Sequence, residues 1–175
     1  MAVDGDVQIL PGQAVRSLVT TAGEVTGISL VIGGGFLSNG LLNGGLQAPD
    51  SGLLGSLAVA DATEDFFYVD GPDNPGALTL EGLDPARTYQ LELFGSRDWG
   101  SEDRHTRYAV TGASRQEVTL QTSGWGLSGD YDGNTGTVAT LTGLVPDDWG
   151  RLHIDVDIDS GTYAYLNLLR LTVSE

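Results

Sequence analysis

The sequence predicts an all-β fold, an antiparallel β-sandwich of the jelly-roll type. Short apolar or alternating runs bounded by Gly, Pro, Asn and Asp recur about every 8 to 15 residues, a spacing typical of sandwiches and barrels. The 26 glycines among 175 residues favour many short elements joined by tight turns. No stretch has the 3.6-residue period of an amphipathic helix, so we expect few and short helices. The length fits one β-sandwich domain over residues 1–175.

The candidate strands follow these apolar runs in order. The turns between them carry their own signals, since Gly82–Pro85 and Val145–Gly150 each place a proline before a new run. The run His153–Asp159 alternates apolar and acidic residues, which predicts a strand with one wet face. The predicted strands are 7–10, 15–20, 27–32, 56–60, 66–69, 76–81, 88–95, 107–112, 116–121, 136–142, 150–158 and 162–173.

One long stretch, residues 33–55, is glycine-rich and weakly periodic. Loops of this length in compact domains are usually functional or mobile. Gly33-x-Gly35 resembles the start of a dinucleotide-binding fingerprint, but Ser38 stands where the third glycine belongs and no helical pattern follows. We therefore expect a functional or mobile loop without a nucleotide site.

The charge excludes several classes of partner and chemistry. The net charge of −16 makes nucleic acid and anionic membranes poor partners. All eight basic residues are arginine, so phosphate loops and Schiff bases that need lysine are excluded. The absence of cysteine excludes disulfides and thiolate metal sites. No apolar run reaches the roughly 18 residues of a membrane span.

Catalysis finds little support in the sequence. Ser96 and His105 are close in sequence, but no Gly-x-Ser-x-Gly elbow occurs and the chain has only two histidines. A domain of this size rarely forms the long cleft of a polysaccharide hydrolase, although carboxylates are abundant. We therefore predict that the protein is not an enzyme.

Two motifs carry a resemblance to a known family: Phe94-Gly95-Ser96-Arg97 and Tyr163-x-Tyr165-Leu166-Asn167. Looser matches extend it over most of the chain, at 26–30, 65–67, 82–84, 103–112, 134–135 and 168–171. The sequence resembles the galactose-binding-like jelly-roll accessory domains of secreted, multidomain bacterial proteins, which are often found beside polysaccharide-degrading enzymes.

This resemblance implies a carbohydrate-binding module. The expected partners are an extracellular polysaccharide and a catalytic domain linked covalently in a larger secreted protein from which 1–175 is excised. The expected location is extracellular. The resemblance names neither the glycan nor the site.

The densest polar cluster lies in the loop that follows residue 95. Trp99, Arg97, Arg104 and His105 provide the aromatic face and the planar donors that sugar recognition requires. Alternatively, Arg97 and Arg104 form internal bridges to Asp98 or Asp103 and fix the loop. Because the family motif contains Ser96, Arg97, Asp103 and Arg104, we favour structural roles for these four, and Trp99 is the expected ligand contact.

A second candidate loop contains Trp125 and Tyr131 among glycines. Exposed aromatic side chains in such a loop suggest binding, although either could instead cap the core. Trp149 follows a turn and is expected to pack at the start of a strand.

The spacing Asp130-x-Asp132-x-Asn134 matches the first oxygen ligands of a calcium loop. The twelfth position is Leu141 instead of glutamate, so an EF-hand is not expected. Jelly-roll modules can carry one structural calcium ion, and either Asp130, Asp132 and Asn134 or the pair Asp4 and Asp6 could hold it.

The sequence therefore predicts a non-catalytic carbohydrate-binding module that tethers a secreted enzyme to polysaccharide. The alternative is a structural or protein-interaction domain that acts as a spacer and binds no glycan. Tryptophan exposure separates them, because a binding module should expose at least one tryptophan and a spacer should bury all three.

Overall fold

The computed structural model describes residues 12–38, 44–99, 101–128 and 130–174. This part of the chain is almost entirely β. Its strands are β1 (Ala14–Val15), β2 (Ser29–Ile32), β3 (Leu37–Ser38), β4 (Phe67–Asp70), β5 (Gly76–Glu81), β6 (Thr88–Phe94), β7 (Arg104–Thr111), β8 (Arg115–Ser128), β9 (Tyr131–Gly133), β10 (Ala139–Leu144), β11 (Leu152–Ser160), β12 (Tyr163–Leu166) and β13 (Leu168–Ser174).

The strands form two layers. One is a seven-stranded sheet in the order β1-β2-β5-β11-β7-β8-β9. The other contains two three-stranded sheets, β10-β6-β13 and β12-β4-β3, and β12 is separated from β13 by the single residue Asn167. All strand pairs are antiparallel. The predicted antiparallel β-sandwich is confirmed.

The main core lies between these layers. Side chains alternate along each strand, so every second residue of β5, β6, β7 and β11 points inward. Burial of this apolar surface is the main stabilising contribution, at roughly 25 cal/mol per Å². The fully buried members are Val69, Leu80, Leu91, Leu93, Tyr108, Val110, Leu152, Ile154, Val156 and Ala164.

A smaller cluster covers the outer side of β6. Phe94 is buried there against Leu46, Leu54 and Leu57, which belong to the segment between β3 and β4. This segment contains two short helices, α1 (Ser51–Leu54) and α2 (Ala60–Thr63), with a 3₁₀ turn between them. The part of the long glycine-rich stretch that the structure describes is therefore packed in part against the sandwich.

Most predicted strands are confirmed, with several differences. The strand predicted over 56–60 is wrong, because these residues form the 3₁₀ turn Gly55–Leu57 and the start of α2, where Leu57 packs under Phe94. The strand predicted over 162–173 is two strands, interrupted at Asn167. The short strands β3 and β9 lack a sequence signal, and the strand predicted over 7–10 lies outside the described residues.

The acidic face of β11 is confirmed as partly wet. Asp155 and Asp157 point away from the core and meet arginines of the neighbouring strands. The few short helices also match the expectation, and none of those described has the length and apolarity of a membrane span.

Candidate functional site

The outer face of β4 and β12 is aromatic. Ala164, Leu166 and Val69 point into the core, so the alternating residues of both strands point outward. Tyr165 lies directly opposite Tyr68 in the antiparallel register. The ring centroids of Phe66 and Tyr165 are 5.2 Å apart with an edge-to-face geometry. We call Phe66, Tyr68, Trp99, Tyr163 and Tyr165 the aromatic surface; Phe66 and Tyr165 are its buried members, Tyr68 and Tyr163 are partly exposed, and Trp99 is exposed.

Arg104 is the buried cation beside this surface. Its guanidinium carbon lies 4.8 Å from the ring centroid of Tyr163 and 5.5 Å from that of Trp99. Its Nη1 donates to the Tyr165 hydroxyl, and its Nε donates to Glu102 Oε1 at 2.7 Å. The residue is 5% exposed, so its charge is compensated inside the protein by Glu102 and by three aromatic rings.

Arg97 contacts the aromatic surface on the side of Phe66 and Trp99. Its guanidinium carbon is 5.5 Å from the ring of Phe66 and 5.8 Å from the ring of Trp99. Its Nη1 donates to the carbonyl oxygen of Gly44 at 3.0 Å. Trp99 therefore lies within cation–π distance of two guanidinium groups while 45% of its surface is exposed.

A half-open pocket adjoins Arg97. Its volume is about 450 Å³, within the range of small-ligand sites. We call it the Asp98 pocket; it is lined by Gly44, Gly45, Leu46, Gln47, Ala48, Arg97, Asp98, Tyr131 and Thr135. Arg97 belongs to both the aromatic surface and the Asp98 pocket, so the two form one continuous surface.

The electrostatics of the site follow from these contacts. The hydrogen bond from Arg104 and the bonds from Thr162 lower the pKa of Glu102 below its ordinary value of 4.5. Burial raises the pKa of Tyr165 to about 12. Burial also raises the pKa of Tyr131 to about 12, a shift that nearby Asp98 increases and Arg97 decreases. Both tyrosines are therefore neutral hydroxyls at neutral pH.

The structure brings together Trp99, Arg97 and Arg104, as the sequence predicted, but the predicted ion pairs are wrong. Arg104 pairs with Glu102 instead of Asp98 or Asp103. Asp98 accepts a hydrogen bond from the backbone of Asp132, and Asp103 accepts one from the backbone of Trp125. The expected structural role of Ser96 agrees with its complete burial and its 2.8 Å hydrogen bond to the Tyr131 hydroxyl.

His105 does not join the aromatic surface. It alternates with the inward-facing Thr106 on β7, and its Nδ1 lies 2.9 Å from Ser160 Oγ on β11. Trp125 is 69% exposed near Asp103, without a contact to the aromatic surface among the described residues. The binding role of Trp125 stays a prediction, and the position of His105 separates that residue from Trp99.

The hairpin of β8 and β9 holds the predicted calcium ligands. Asn134 is 2% exposed, and its side chain makes four hydrogen bonds, to Gly95, Gly136 and twice to Thr137. These bonds engage both the nitrogen and the oxygen of the amide, so Asn134 fixes the loop, and its role as a calcium ligand stays a prediction. No group of three or more histidine, aspartate or glutamate side chains among the described residues has the geometry to hold a metal ion. Asp4 and Asp6 lie outside those residues.

Trp149 corrects another prediction. It does not pack at a strand start but is 74% exposed, with the Arg151 guanidinium carbon 5.3 Å from its ring. Its loop contacts the turns at Leu83 and Ala113, at the end of the sandwich opposite Trp99.

Sequence reasoning missed the aromatic residues of β4 and β12 as site residues. Tyr163 and Tyr165 were visible as an alternating pair in a resembling motif, and Phe66 lies in a looser match. These side chains point outward because the alternate residues of the same strands are buried in the core. The pattern of one strand alone does not reveal which of its two faces is buried. Tyr68 in particular becomes part of the surface only through its pairing with Tyr165.

No protein-family model and no curated protein matches the sequence. Solved structures with a similar architecture include carbohydrate-binding modules and the enzymatically active domain of bacteriophage CBA120 tailspike protein 4, which is 13% identical over 92% of this chain and 19% of its own, with a TM-score of 0.35. A CBM61 module in complex with β-1,4-galactotriose is 14% identical over 79% of this chain and 87% of its own, with a TM-score of 0.42.

Two further similar structures contain CBM22-1 modules. The xylan-binding domain of Paenibacillus barcinonensis Xyn10C is 11% identical over 95% of this chain and 97% of its own, with a TM-score of 0.41. The CBM22-1 and GH10 modules of a Clostridium thermocellum xylanase are 12% identical over 81% and 26%, with a TM-score of 0.40. Overlaps this loose do not carry individual site residues from one chain to another.

Proposed function

We propose that this protein is a non-catalytic carbohydrate-binding module and that it binds polysaccharide on the aromatic surface. The observation that carries the proposal is Trp99, a large ring that stays 45% exposed although Arg97 and Arg104 hold it in place. Sugar rings present C–H groups to aromatic faces, and a rigid ring gives contact area at little entropic cost. Polar groups of the neighbouring Asp98 pocket are available for the hydroxyls.

The charge of the molecule favours a neutral glycan. The net charge of −16 repels acidic polysaccharides at long range. Arg104 is buried against Glu102, which removes its charge from the surface that a ligand would meet. We therefore expect neutral glycans to bind more tightly than uronate-containing or sulfated ones.

The exposure of the tryptophans disfavours the spacer alternative. This alternative requires all three tryptophans to be buried, whereas Trp99, Trp125 and Trp149 are all exposed. In our proposal the domain is secreted and anchors a covalently linked catalytic domain to extracellular polysaccharide.

The test is retention on insoluble polysaccharides together with a glycan array, using Trp99→Ala. We expect this variant to bind about tenfold more weakly, because one stacking contact and its buried area are lost. Trp149→Ala is the matched control, since Trp149 is equally an exposed tryptophan beside an arginine but lies at the opposite end. Equal retention of wild type and Trp99→Ala would contradict the aromatic surface, and no retention on any glycan would contradict carbohydrate binding.

The same assay tests a structural calcium ion. It is run in about 2 mM calcium, the level at which weak extracellular sites load, and repeated with chelator. Calcium at Asp130 and Asp132 predicts that chelator lowers retention of the wild type and leaves an Asp130→Asn/Asp132→Asn variant unchanged. Equal retention of the wild type in both buffers would contradict a calcium requirement.

A further inference from the structure

The Asp98 pocket is closed on one side by backbone. The amides of Gly44 and Gly45 donate to the Glu64 carbonyl, and the amide of Leu46 donates to the Thr63 carbonyl at 2.8 Å. The Asp98 amide in turn donates to the Gly44 carbonyl at 3.0 Å. This wall is therefore fixed by main-chain hydrogen bonds, which are costly to break.

Glycine is required in this wall. A Cβ at Gly45 would lie 2.3 Å from the Thr63 carbonyl oxygen, and one at Gly44 would lie 2.1 Å from Nη1 of Arg97. At position 45 only glycine lets the wall approach the Thr63 backbone so closely, whereas a side chain at position 44 would displace the end of the Arg97 side chain. On the side of Gly44 and Gly45, a ligand in the pocket therefore meets backbone.

The pocket offers one positive and one negative group beside each other. Of the five N–H groups of the Arg97 guanidinium, the described part of the chain gives one an acceptor, the Gly44 carbonyl. The exposed Asp98 carboxylate receives only the 3.3 Å bond from the Asp132 amide within the same part of the chain. Each sugar hydroxyl is both donor and acceptor, so an adjacent donor and acceptor suit neighbouring hydroxyls. Arg97 and Asp98 are the two charged side chains that line the pocket, so their formal charges sum to zero, which fits a neutral ligand.

We propose, on the basis of the proposed function, that the Asp98 pocket binds the terminal residue of a neutral glycan chain, while the next residue lies against Trp99. Arg97 joins the two parts, because it contacts the Trp99 ring and lines the pocket. A volume of about 450 Å³ with a fixed wall on one side suits one or two sugar units at the end of a chain. The protein would therefore recognise chain ends instead of chain interiors.

The experiment uses one polysaccharide that retains the wild-type protein, before and after partial cleavage by an endo-acting hydrolase. Cleavage multiplies chain ends at constant mass, so we expect the binding capacity per milligram to rise in proportion to the ends. Short oligosaccharides of the same sugar should compete at full affinity. A capacity that does not follow the number of ends would overturn the proposal.

Asp98→Asn tests the pocket directly. The substitution keeps the acceptor for the Asp132 amide but removes the charge, and we expect oligosaccharide affinity to fall about tenfold. Asp148→Asn is the matched control, since Asp148 is an exposed aspartate at the opposite end of the sandwich. Unchanged affinity of a folded Asp98→Asn, with Trp99→Ala still weakened, would overturn the pocket assignment alone. No binding of the wild type to any glycan would overturn the proposed function and this inference with it.

Discussion

Arg104 organises the aromatic surface through contacts that a buried charge requires. It is 5% exposed, and its guanidinium bonds to Glu102 and Tyr165 and lies over the ring of Tyr163. A buried cation is tolerated only where partners replace its hydration. Glu102 provides the compensating charge and also accepts the hydroxyl of Thr162 at 3.1 Å. The position of Trp99 therefore depends on Glu102, which does not contact that ring among the described residues.

We predict that Glu102→Gln destabilises the protein at neutral pH by about 1–2 kcal/mol, because Arg104 loses a charged acceptor. The pKa of Glu102 is lower in the folded protein than its ordinary value of 4.5. The stabilisation is therefore fully present above pH 4.5 and is lost as the pH falls through the lower folded-state pKa. Urea denaturation of the wild type and the variant at several pH values measures this difference.

The matched control for Glu102→Gln is Glu117→Gln. Glu117 pairs with Arg115 at 3.6 Å, but both side chains are more than half exposed. Exposed pairs contribute roughly 0–1 kcal/mol, so the control should change stability little at any pH. A Glu102→Gln effect that stays constant down to pH 3 would show that packing and not charge causes it.

Asn167, the single residue between β12 and β13, connects the core to the site. The Asn167 amide nitrogen of the backbone donates to the Phe94 carbonyl at 2.9 Å. Its side chain accepts from the Ser96 amide and donates to the Thr63 carbonyl, each at 2.7 Å. One asparagine thus connects the end of β6, the start of the site loop and the segment that forms the pocket wall.

We predict that Asn167→Ala lowers the free energy of unfolding by about 2–3 kcal/mol, because it leaves the Ser96 amide without its acceptor and removes one of the two hydrogen bonds to the Thr63 carbonyl. The loss also loosens the pocket wall, so oligosaccharide affinity should fall together with stability. Urea denaturation and titration calorimetry measure the two effects. Asn74→Ala, in an exposed turn, is the matched control. Equal stability of the two variants would contradict the connecting role of Asn167.

The sequence predicts strands well where one face of the strand is exposed to water. The alternation in β5 and β11 is the direct result of a buried inner face and a hydrated outer one. The pattern fails at Gly55–Leu57, where Leu57 is apolar because it covers Phe94 and not because it belongs to a strand. Such a role depends on tertiary packing that local periodicity does not contain.

The candidate site shows the same limit. Arg97, Trp99 and Arg104 could be predicted together because they are close in sequence. Tyr68 reaches them only through the register that pairs it with Tyr165, almost a hundred residues away. Glu102 lies in the same polar loop, but the geometry of the loop decides that Arg104 pairs with Glu102 and not with Asp103.

At the scale of the whole molecule, the charge is strongly unbalanced. There are 24 acidic residues and 8 arginines, so 16 negative charges are uncompensated. Several arginines form pairs on the sheets, such as Arg107 with Asp157 and Arg170 with Glu92. Salt weakens the attraction within these partly exposed ion pairs, but it also weakens the far more numerous repulsions between carboxylates.

We therefore predict that sodium chloride stabilises the protein. Raising the ionic strength from about 0.02 M to about 0.5 M shortens the screening length from over 20 Å to about 4–5 Å, which removes most repulsion between separated carboxylates. The urea midpoint should rise, and potassium chloride at equal ionic strength should give the same shift. A falling midpoint would mean that pairs such as Arg170 with Glu92 outweigh the net repulsion.

The same salt series distinguishes stability from binding. A neutral glycan end experiences little of the long-range field, so its affinity should stay within about twofold over the range in which the midpoint rises. An acidic glycan would be repelled by the net charge, and its affinity would increase with salt. If affinity instead falls steeply with salt, an accessible cation at the site must attract the ligand. Arg97 would be that cation, because Arg104 is buried against Glu102. Titration of wild type and Arg97→Gln across the series would then test this assignment, because a fall in affinity that comes from Arg97 disappears when its charge is removed.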